Sequence, residues 1–456
     1  MTAGEPEVDV IVVGAGGGGL TAALAAHDAG ASVVVLEKAE TAGGNSALST
    51  GSVPGAGTRF QAEAGIEDSA DRLAADLLAQ SGTHDADDLA RLLAAGSAGL
   101  VEWLIDAHGI DLRLITDYRH VGHSVPRLHA PPSRKGRDLV ADLLRAVRAT
   151  GTEVLVHSPV AALLHDGDGV HGVRVSGPRS GTYDITSRAV VLAGNGFAAN
   201  RELLREWAPA IADFEYFGSP GSTGESLKWA LELGGRLGNT TAYQGYAAVA
   251  YPHGSITSWT TVEMGGVLID GTGHRFGDES RGYSGFADAV LGAPGPWHVV
   301  FDTTIRDYVA SHEQEFAELV AMGGARECAT IPDLATFCGV DEPALGATLA
   351  SAATTATGDD NDEWGRTEWG FGPLKPPYVA VRSVPGLFHT QGGVLVDHHA
   401  RPTTATGVIN GLYATGGVAT GISGATGGAG YSSGNGLLAA LGLGHLAGTH
   451  AGSLPR

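Results

Sequence analysis

Cysteine is almost absent from this chain of 456 residues; there are two, Cys328 and Cys338. Two thiols alone make neither a disulfide framework nor a tetrahedral metal site, and they fit a reducing compartment. Positive charge is scarce as well. Lys and Arg number 28 against 50 Asp and Glu, a formal charge of −22. Such a surface repels phosphate backbones and anionic lipid, which excludes nucleic acid as a partner. No apolar run approaches the roughly 18 residues of a membrane span, so no membrane insertion is expected. Glu5, Glu7 and Asp9 stand where a secretory leader carries positive charge. These absences predict a cytoplasmic protein. His398-His399 and the pair His120/His123 have the spacing of metal ligands, but each lacks a third partner, so no metal is expected. There is no internal repeat.

What the chain has in excess is glycine. There are 70, roughly twice the usual share of about 7%. They are neither periodic, as in collagen, nor pooled in one low-complexity tract. They fall in short clusters beside apolar runs, the pattern of backbone brought close to a ligand. With 43% apolar and 17% charged residues there is ample material for a core.

Residues 8–13, Val-Asp-Val-Ile-Val-Val, read as a buried parallel strand ended by glycine. A helix over 20–29, stopped by Gly30, and a second strand over 31–36 complete a βαβ unit. The periodicity predicts helix over 66–108 and 139–148, and strands over 152–157, 170–175 and 189–193 with a hairpin near Gly167-Asp168-Gly169. Short apolar strands return at 393–397 and 411–415, and an apolar helix closes the chain at 436–447. Between them, residues 244–388 differ in composition, holding most of the tryptophans and both cysteines. The expected architecture is α/β: a Rossmann-like dinucleotide-binding domain, 1–243 plus 389–456, interrupted by a smaller α+β capping domain at 244–388.

Gly14-Ala15-Gly16-Gly17-Gly18-Gly19 is a G-x-G-x-x-G run between the predicted strand and helix. The first glycine permits the tight turn and the second lets backbone N–H groups approach a pyrophosphate. The third lets helix and strand pack, so that the helix N-terminus faces the phosphates. Glu37 ends the next strand, where an acid hydrogen-bonds a ribose hydroxyl. Further glycine-rich blocks follow: Gly43-Gly44-Asn45-Ser46 with Ser49 and Gly51, then Ala193-Gly194, then Gly416-Gly417 after a short apolar strand. A nicotinamide enzyme has no need to bring its C-terminus back to the nucleotide. A flavin enzyme holds its ring along the whole length, so FAD is the expected cofactor, bound without a covalent link.

Together with Arg275-Phe276-Gly277-Asp278-Glu279, Pro377-Tyr378 and Phe388-His389-Thr390-Gln391-Gly392-Gly393, these blocks resemble the flavoprotein superfamily of fumarate reductases, succinate dehydrogenase flavoprotein subunits and 3-ketosteroid Δ1-dehydrogenases. The resemblance covers nearly the whole chain. It implies cofactor contacts from Ala15, Lys38, Val160, Asn200, Gly393, Gly436 and Leu437 besides the blocks above.

Two positions separate the branches. The fumarate reductases carry a proton-donating arginine four residues past the Glu of the R-F-x-N/D-E block; here that position is Tyr283. They carry a carboxylate-binding arginine four residues before the Asn of their C-terminal G-G-N; here it is Tyr431. Both substitutions resemble the 3-ketosteroid Δ1-dehydrogenases. That resemblance implies Tyr283 as base and Tyr431, with the Asn435 N–H, as the group that polarises a substrate ketone. Tyr118 would support the base, and Gly434 and Thr390 would touch substrate.

The implied chemistry is desaturation of a cyclic ketone at its α,β bond. The α-proton goes to tyrosinate and the hydride to flavin N5, and an unknown acceptor reoxidises the flavin. His389 matches the H-T-x-G-G motif of the carboxylate-acting branch, and Arg281 is the cation nearest Tyr283 in sequence. If both act, the substrate carries a ketone and a carboxylate on a small ring, as for an oxocyclohexanecarboxylate desaturase. The alternative is a fumarate-reductase-like enzyme that reduces an α,β-unsaturated carboxylate through the same two residues.

Overall fold

The computed structural model describes residues 7–116, 120–177 and 181–455. The chain divides into two compact units, one drawn from Met1–Asp213, Gly218–Tyr243 and His389–Arg456, the other from Phe214–Phe217 and Gln244–Phe388.

In the first unit, strand β1 (Val8–Val13), helix α1 (Gly17–Asp28) and strand β2 (Val33–Leu36) form the βαβ unit. Val10, Ile11 and Val12 have no exposed surface. A β-branched run without polar alternation requires such cover on both faces. β1 pairs parallel with β2 on one side and with β3 (Gly181–Leu192) on the other, Ile11 lying opposite Val34 and Val190. Glu153–Leu155 extends the sheet beyond β2, and β4 (Leu412–Ala414) pairs parallel with the last residues of β3. The first half of β3 instead pairs antiparallel with Gly169–Gly177, which turns back onto Val160–Asp166. The C-terminal part of the chain thus completes the sheet that its N-terminus begins, as in the Rossmann-like architecture expected.

Local signals placed these elements well and their ends less well. α1 starts at Gly17, three residues before the apolar pattern does, because the glycines form its first turn. The helical stretch at 66–108 is two helices, Ala70–Ser81 and Asp87–Asp106. The first is capped by Ser69, whose side chain accepts from Arg72 N, and ends at Gly82 with φ +62°, a conformation that stops a helix.

The closing helix α2 (Asn435–Gly452) packs along α1. Gly444, Gly448 and Gly452 recur every fourth residue and so share one face. A methyl group on Gly448 would overlap the Ala22 carbonyl, and one on Gly452 would lie 2.7 Å from that of Ala26. Reciprocally, a methyl on Gly18 would lie 2.9 Å from the Ala440 carbonyl. The two backbones are therefore in direct contact, and only glycine permits it.

In the second unit, Val267–Ile269, Trp297–Asp302 and Tyr378–Thr390 are successive antiparallel neighbours, with Thr241–Ala250 beyond. Glu215–Tyr216, inside the short excursion Phe214–Phe217, adds to Gly386–Leu387 in parallel. Val267, Ile269, Val300, Leu334 and Leu345 make its core. Both cysteines are buried there as free thiols, and burial pushes Cys338 up to about 12. It stays protonated and unreactive at neutral pH.

The glycine stripe is testable. Gly448→Val should push α1 away from α2 and destabilise the protein by about 1–3 kcal/mol, as overpacking does. Bound flavin should fall with it, measured as the thermal midpoint and the flavin-to-protein absorbance ratio. Unchanged values for both would show that the helices tolerate separation.

Candidate active site

The dinucleotide cradle is built from backbone. Gly14 takes φ +111°, and a methyl there would lie 2.8 Å from the carbonyl carbon of Ala193. A methyl on Gly19 would strike the carbonyl of Gly14, so the first and third glycines bring strand, turn and helix together. Gly16 behaves differently. A methyl there meets only Gly43 O, at 3.6 Å, so the space in front of it is open to a ligand. Gly16 caps α1 without any side-chain bond, which leaves the N-terminal turn of a twelve-residue helix pointing its N–H groups and dipole at that space.

Around the cradle, Glu37 accepts from Ala15 N and Ala39 N, both at 2.8 Å. A carboxylate has about four lone-pair sites, so two remain for ribose hydroxyls. Ser46 Oγ accepts from Gly17 N (3.1 Å), and Ser49 Oγ from Gly51 N (3.0 Å) where Gly51 turns at φ +72°. Gly43 and Gly44 also take positive φ. Lys38 Nζ is held by Thr223 Oγ1 (2.8 Å) and Glu225 (3.0 Å). Val160 begins its strand two residues after Ser158, whose N–H is on Glu37 O at 2.8 Å. The residues present fit FAD.

Other residues expected to touch cofactor or substrate also make contacts within the protein. Asn200 caps the helix Arg201–Trp207, its Oδ1 accepting from Glu202 N and Leu203 N. Thr390 is fully buried with its hydroxyl accepting from Phe197 N at 3.2 Å. Gly393 pairs with Gly238, and its carbonyl accepts from Thr420 Oγ1 (2.7 Å). Gly416 takes φ +60°, and Gly417 lies against His389. Asn45 Oδ1 accepts from Ser219 N at 2.6 Å, which turns its Nδ2 toward His389 Nδ1 at 3.5 Å. That leaves the His389 proton on Nε2. Burial lowers the His389 pKa to about 4, so at pH 7 it is a neutral donor and not a cation.

Tyr431 is 7% exposed and lies in a glycine-rich turn strapped on both sides. Gln80 Nε2 donates to Ala429 O (2.7 Å) and Ala425 N to Thr83 O (2.8 Å). His123 Nε2 lies 2.8 Å from Ser433 O, and Ser433 N donates to Val121 O at 3.0 Å. Gly434, at φ +78°, ends the turn, and Asn435, Gly436 and Leu437 open α2. The Asn435 N–H, expected to face a ketone, instead closes the turn onto Ser432 O at 3.1 Å. The Asn435 side chain is fully buried and donates to Ser423 Oγ (2.5 Å). Tyr118 lies outside the described residues.

The second unit carries Tyr283 on the short helix Gly282–Gly285. Its ring stacks on Tyr246 (4.9 Å, 23°) and meets the edge of Trp259 (6.5 Å, 75°), and Tyr246 stacks on Phe388 (5.6 Å, 18°). Tyr246, missed in the sequence because it sits inside an apolar strand, donates to Thr257 O at 3.0 Å. Burial, then the charge of Glu313, pushes its phenol well above the usual range. Arg281 is exposed.

The R-F-G-D-E block is a buried ionic clamp. Arg275 bonds both Glu279 oxygens (2.9 and 2.6 Å) and also Asp362. Arg366 lies 3.5 Å from the same Glu279 and 4.1 Å over the Trp369 ring. The clamp fixes the loop four residues before Tyr283. Among the described residues no group of three or more His, Cys, Asp or Glu is placed to hold a metal, and no helix is long and apolar enough to cross a membrane.

A parallel sheet with a glycine cradle at the start of α1, completed by a C-terminal strand and helix, defines a flavoprotein. The chain belongs to the FAD binding domain family, whose model matches residues 9–433. FAD is accordingly its cofactor, and the class is FAD-dependent oxidoreductase. NADH:fumarate oxidoreductase of Klebsiella pneumoniae (strain 342) is 30% identical over 91% of this chain, which spans only 45% of that protein's length. The 4-oxocyclohexanecarboxylate 2-dehydrogenase of Sinomonas cyclohexanicum is 30% identical over 90% of this chain and 87% of its own. The 3-ketosteroid Δ1-dehydrogenase of Sterolibacterium denitrificans matches with TM-score 0.81 at 22% identity, over 98% of this chain and 99% of that one, a likeness of fold.

Four buried histidines make stability depend on pH. His123, His129, His298 and His389 are each lowered by burial to about 4, whereas the unfolded chain titrates them near 6.5. Below 6.5 the unfolded chain binds more protons, so the stability they contribute is complete above 6.5 and lost as pH falls toward 4. The urea midpoint should be flat just above pH 7 and decline between pH 6.5 and 4. A midpoint constant down to pH 4.5 would contradict their neutral burial.

Proposed function

We propose that the chain is an FAD-dependent dehydrogenase that introduces a C=C bond α,β to the ketone of a cyclic substrate, a 3-ketosteroid or an oxocyclohexanecarboxylate-type ring. One observation carries the reading: tyrosine stands at both positions, Tyr283 and Tyr431, where the carboxylate-acting branch that the chain resembles has arginine. A phenol is neutral at pH 7 and offers a carbonyl one hydrogen bond, whereas a carboxylate is met by a charged, two-pronged guanidinium. The charges that act on Tyr246, which stacks on Tyr283, are carboxylates, Glu313, Glu263 and Glu315, and not cations. His389, neutral by burial, adds no positive charge. The curated relative with 87% of its length matched acts, by its name, on an oxocyclohexane ring.

FAD, when bound, supplies a hydride acceptor at N5. The Tyr431 hydroxyl donates to the ketone oxygen and makes the α-proton acidic. In a buried turn that bond works in a low dielectric, where it is strongest. With the Asn435 N–H committed to Ser432, the polarising falls to this hydroxyl. The Tyr283 oxygen takes the α-proton as tyrosinate and passes it to solvent. The substrate thereby loses a proton and a hydride and gains the double bond, and the two electrons leave to an external acceptor. Because a phenol ionises near 10, turnover by such a base should rise with pH above neutrality.

The reading is tested by anaerobic titration of the FAD-loaded protein with 4-oxocyclohexanecarboxylate and with a saturated 3-ketosteroid. Loss of the flavin absorbance is expected with one of them, and Tyr283→Phe should retain FAD but lose about 10²–10⁴-fold in turnover. Reduction of fumarate by the dithionite-reduced protein, with no response to either ketone, would overturn the reading in favour of the enoate reductase.

A further inference from the structure

The turn that carries Tyr431 has glycine at 427, 428, 430 and 434, so its own backbone has little stiffness. Its shape must be imposed from outside. Two residues beyond Tyr431, both peptide groups of Ser433 are taken by the segment 121–123: its N–H by Val121 O and its carbonyl by His123 Nε2. Gly122, at φ +78°, lies so close that a methyl there would stand 2.6 Å from Ser432 Cβ.

Behind His123 lies an ionic cluster that the proposed chemistry does not use. Arg127 has no exposed surface. Its Nε and Nη2 donate to the two oxygens of Asp68 (2.8 and 2.9 Å), and its Nη1 to Asp76 (2.6 Å). The same Nη1 lies 3.2 Å from His123 Nδ1. A guanidinium can only donate, so Nδ1 accepts and the ring proton sits on Nε2, aimed at Ser433 O. Asp76 also accepts from Ser124 N (2.8 Å) and Ser124 Oγ (2.7 Å), which ties the next residue to the cluster. Burial, aided by the Arg127 charge, keeps the imidazole neutral.

We propose that His123 is the positioning residue of the Tyr431 hydroxyl: Arg127 selects its tautomer, and its Nε2–H fixes the Ser433 carbonyl and with it the turn from which Tyr431 acts. The inference rests on the role given to Tyr431 above. A reacting group displaced by about 1 Å can lose roughly 10²-fold in rate, so a bond two residues away has leverage on catalysis without touching substrate.

A double-mutant cycle on the FAD-loaded enzyme tests it, with 4-oxocyclohexanecarboxylate and a saturated 3-ketosteroid as probes. His123→Asn keeps an acceptor for Arg127 but has no donor that reaches Ser433; His123→Gln keeps both. The Asn variant should lower kcat about 10–100-fold at unchanged flavin content, and the Gln variant should recover to within about threefold. In a Tyr431→Phe background the Asn substitution should cost less than about twofold, because the group it positions is gone. His123→Leu replaces the Asn variant in the cycle if the latter does not load FAD. A full additional loss in the Tyr431→Phe background, or no recovery with Gln, overturns the positioning role and leaves the Tyr431 reading intact. Unaltered turnover by Tyr431→Phe overturns the reading of Tyr431, and the inference with it.

Discussion

Backbone pressed against backbone is the constraint on which the first unit depends. Gly14 turns beside the carbonyl of Ala193, Gly19 lies on that of Gly14, and the stripe Gly444, Gly448 and Gly452 brings α2 onto the carbonyls of α1. These contacts hold the N-terminus of α1 at the end of β1, where its dipole and N-terminal N–H groups would meet the phosphates of FAD. They also set where α2 begins. Because α2 opens at Asn435, directly after the turn of Tyr431, that turn is referenced to the same sheet as the cofactor cradle. One packing requirement therefore bears both on the cofactor cradle at Gly14 and on Tyr431, at the other end of the sequence.

That constraint explains which features were legible in the sequence. A β-branched run ended by glycine declares a buried strand and its turn, and the fingerprint over Gly14–Gly19 needed no long-range information. Helix ends were less clear. Apolar periodicity marks burial, while the first turn of α1 is glycine, buried but silent in that pattern. The break at Gly82 was hidden because helical spacing continues on both of its sides.

Polar side chains were harder to assign, since an Asn or Thr near a ligand motif reads the same whether it faces ligand or backbone. Asn200 caps a helix and Thr390 holds Phe197 N. The Asn435 N–H closes a turn whose bond depends on backbone dihedrals and not on residue type. Least legible was the cluster of Asp68, Asp76, His123 and Arg127. His123 acts on Ser433 across 310 positions, and nothing local in either segment announces the other. Residue type alone suggested a metal spacing for His123, whereas a neighbouring guanidinium makes its Nδ1 an acceptor.

Charge bears on the choice of substrate that the proposed function requires. Among the described residues, the deeply buried arginines are already neutralised by the protein: Arg127 by Asp68 and Asp76, Arg275 by Glu279 and Asp362, and Arg366 beside Glu279. Taking one of these cations for a substrate carboxylate would strand a buried carboxylate of the fold, a change that costs several kcal/mol. On the proposed reading, a neutral phenol such as Tyr431 and the neutral His389 imidazole can polarise a carbonyl but do not offset a second negative charge. If the ring bears a carboxylate, the proposed chemistry is compatible with it only where water or an exposed cation such as Arg281 remains within reach. On the same reading, tyrosine in place of arginine at positions 283 and 431 would act less by adding affinity for a ketone than by withdrawing the compensation a dicarboxylate needs, and discrimination of that kind rests on the penalty imposed on the wrong ligand.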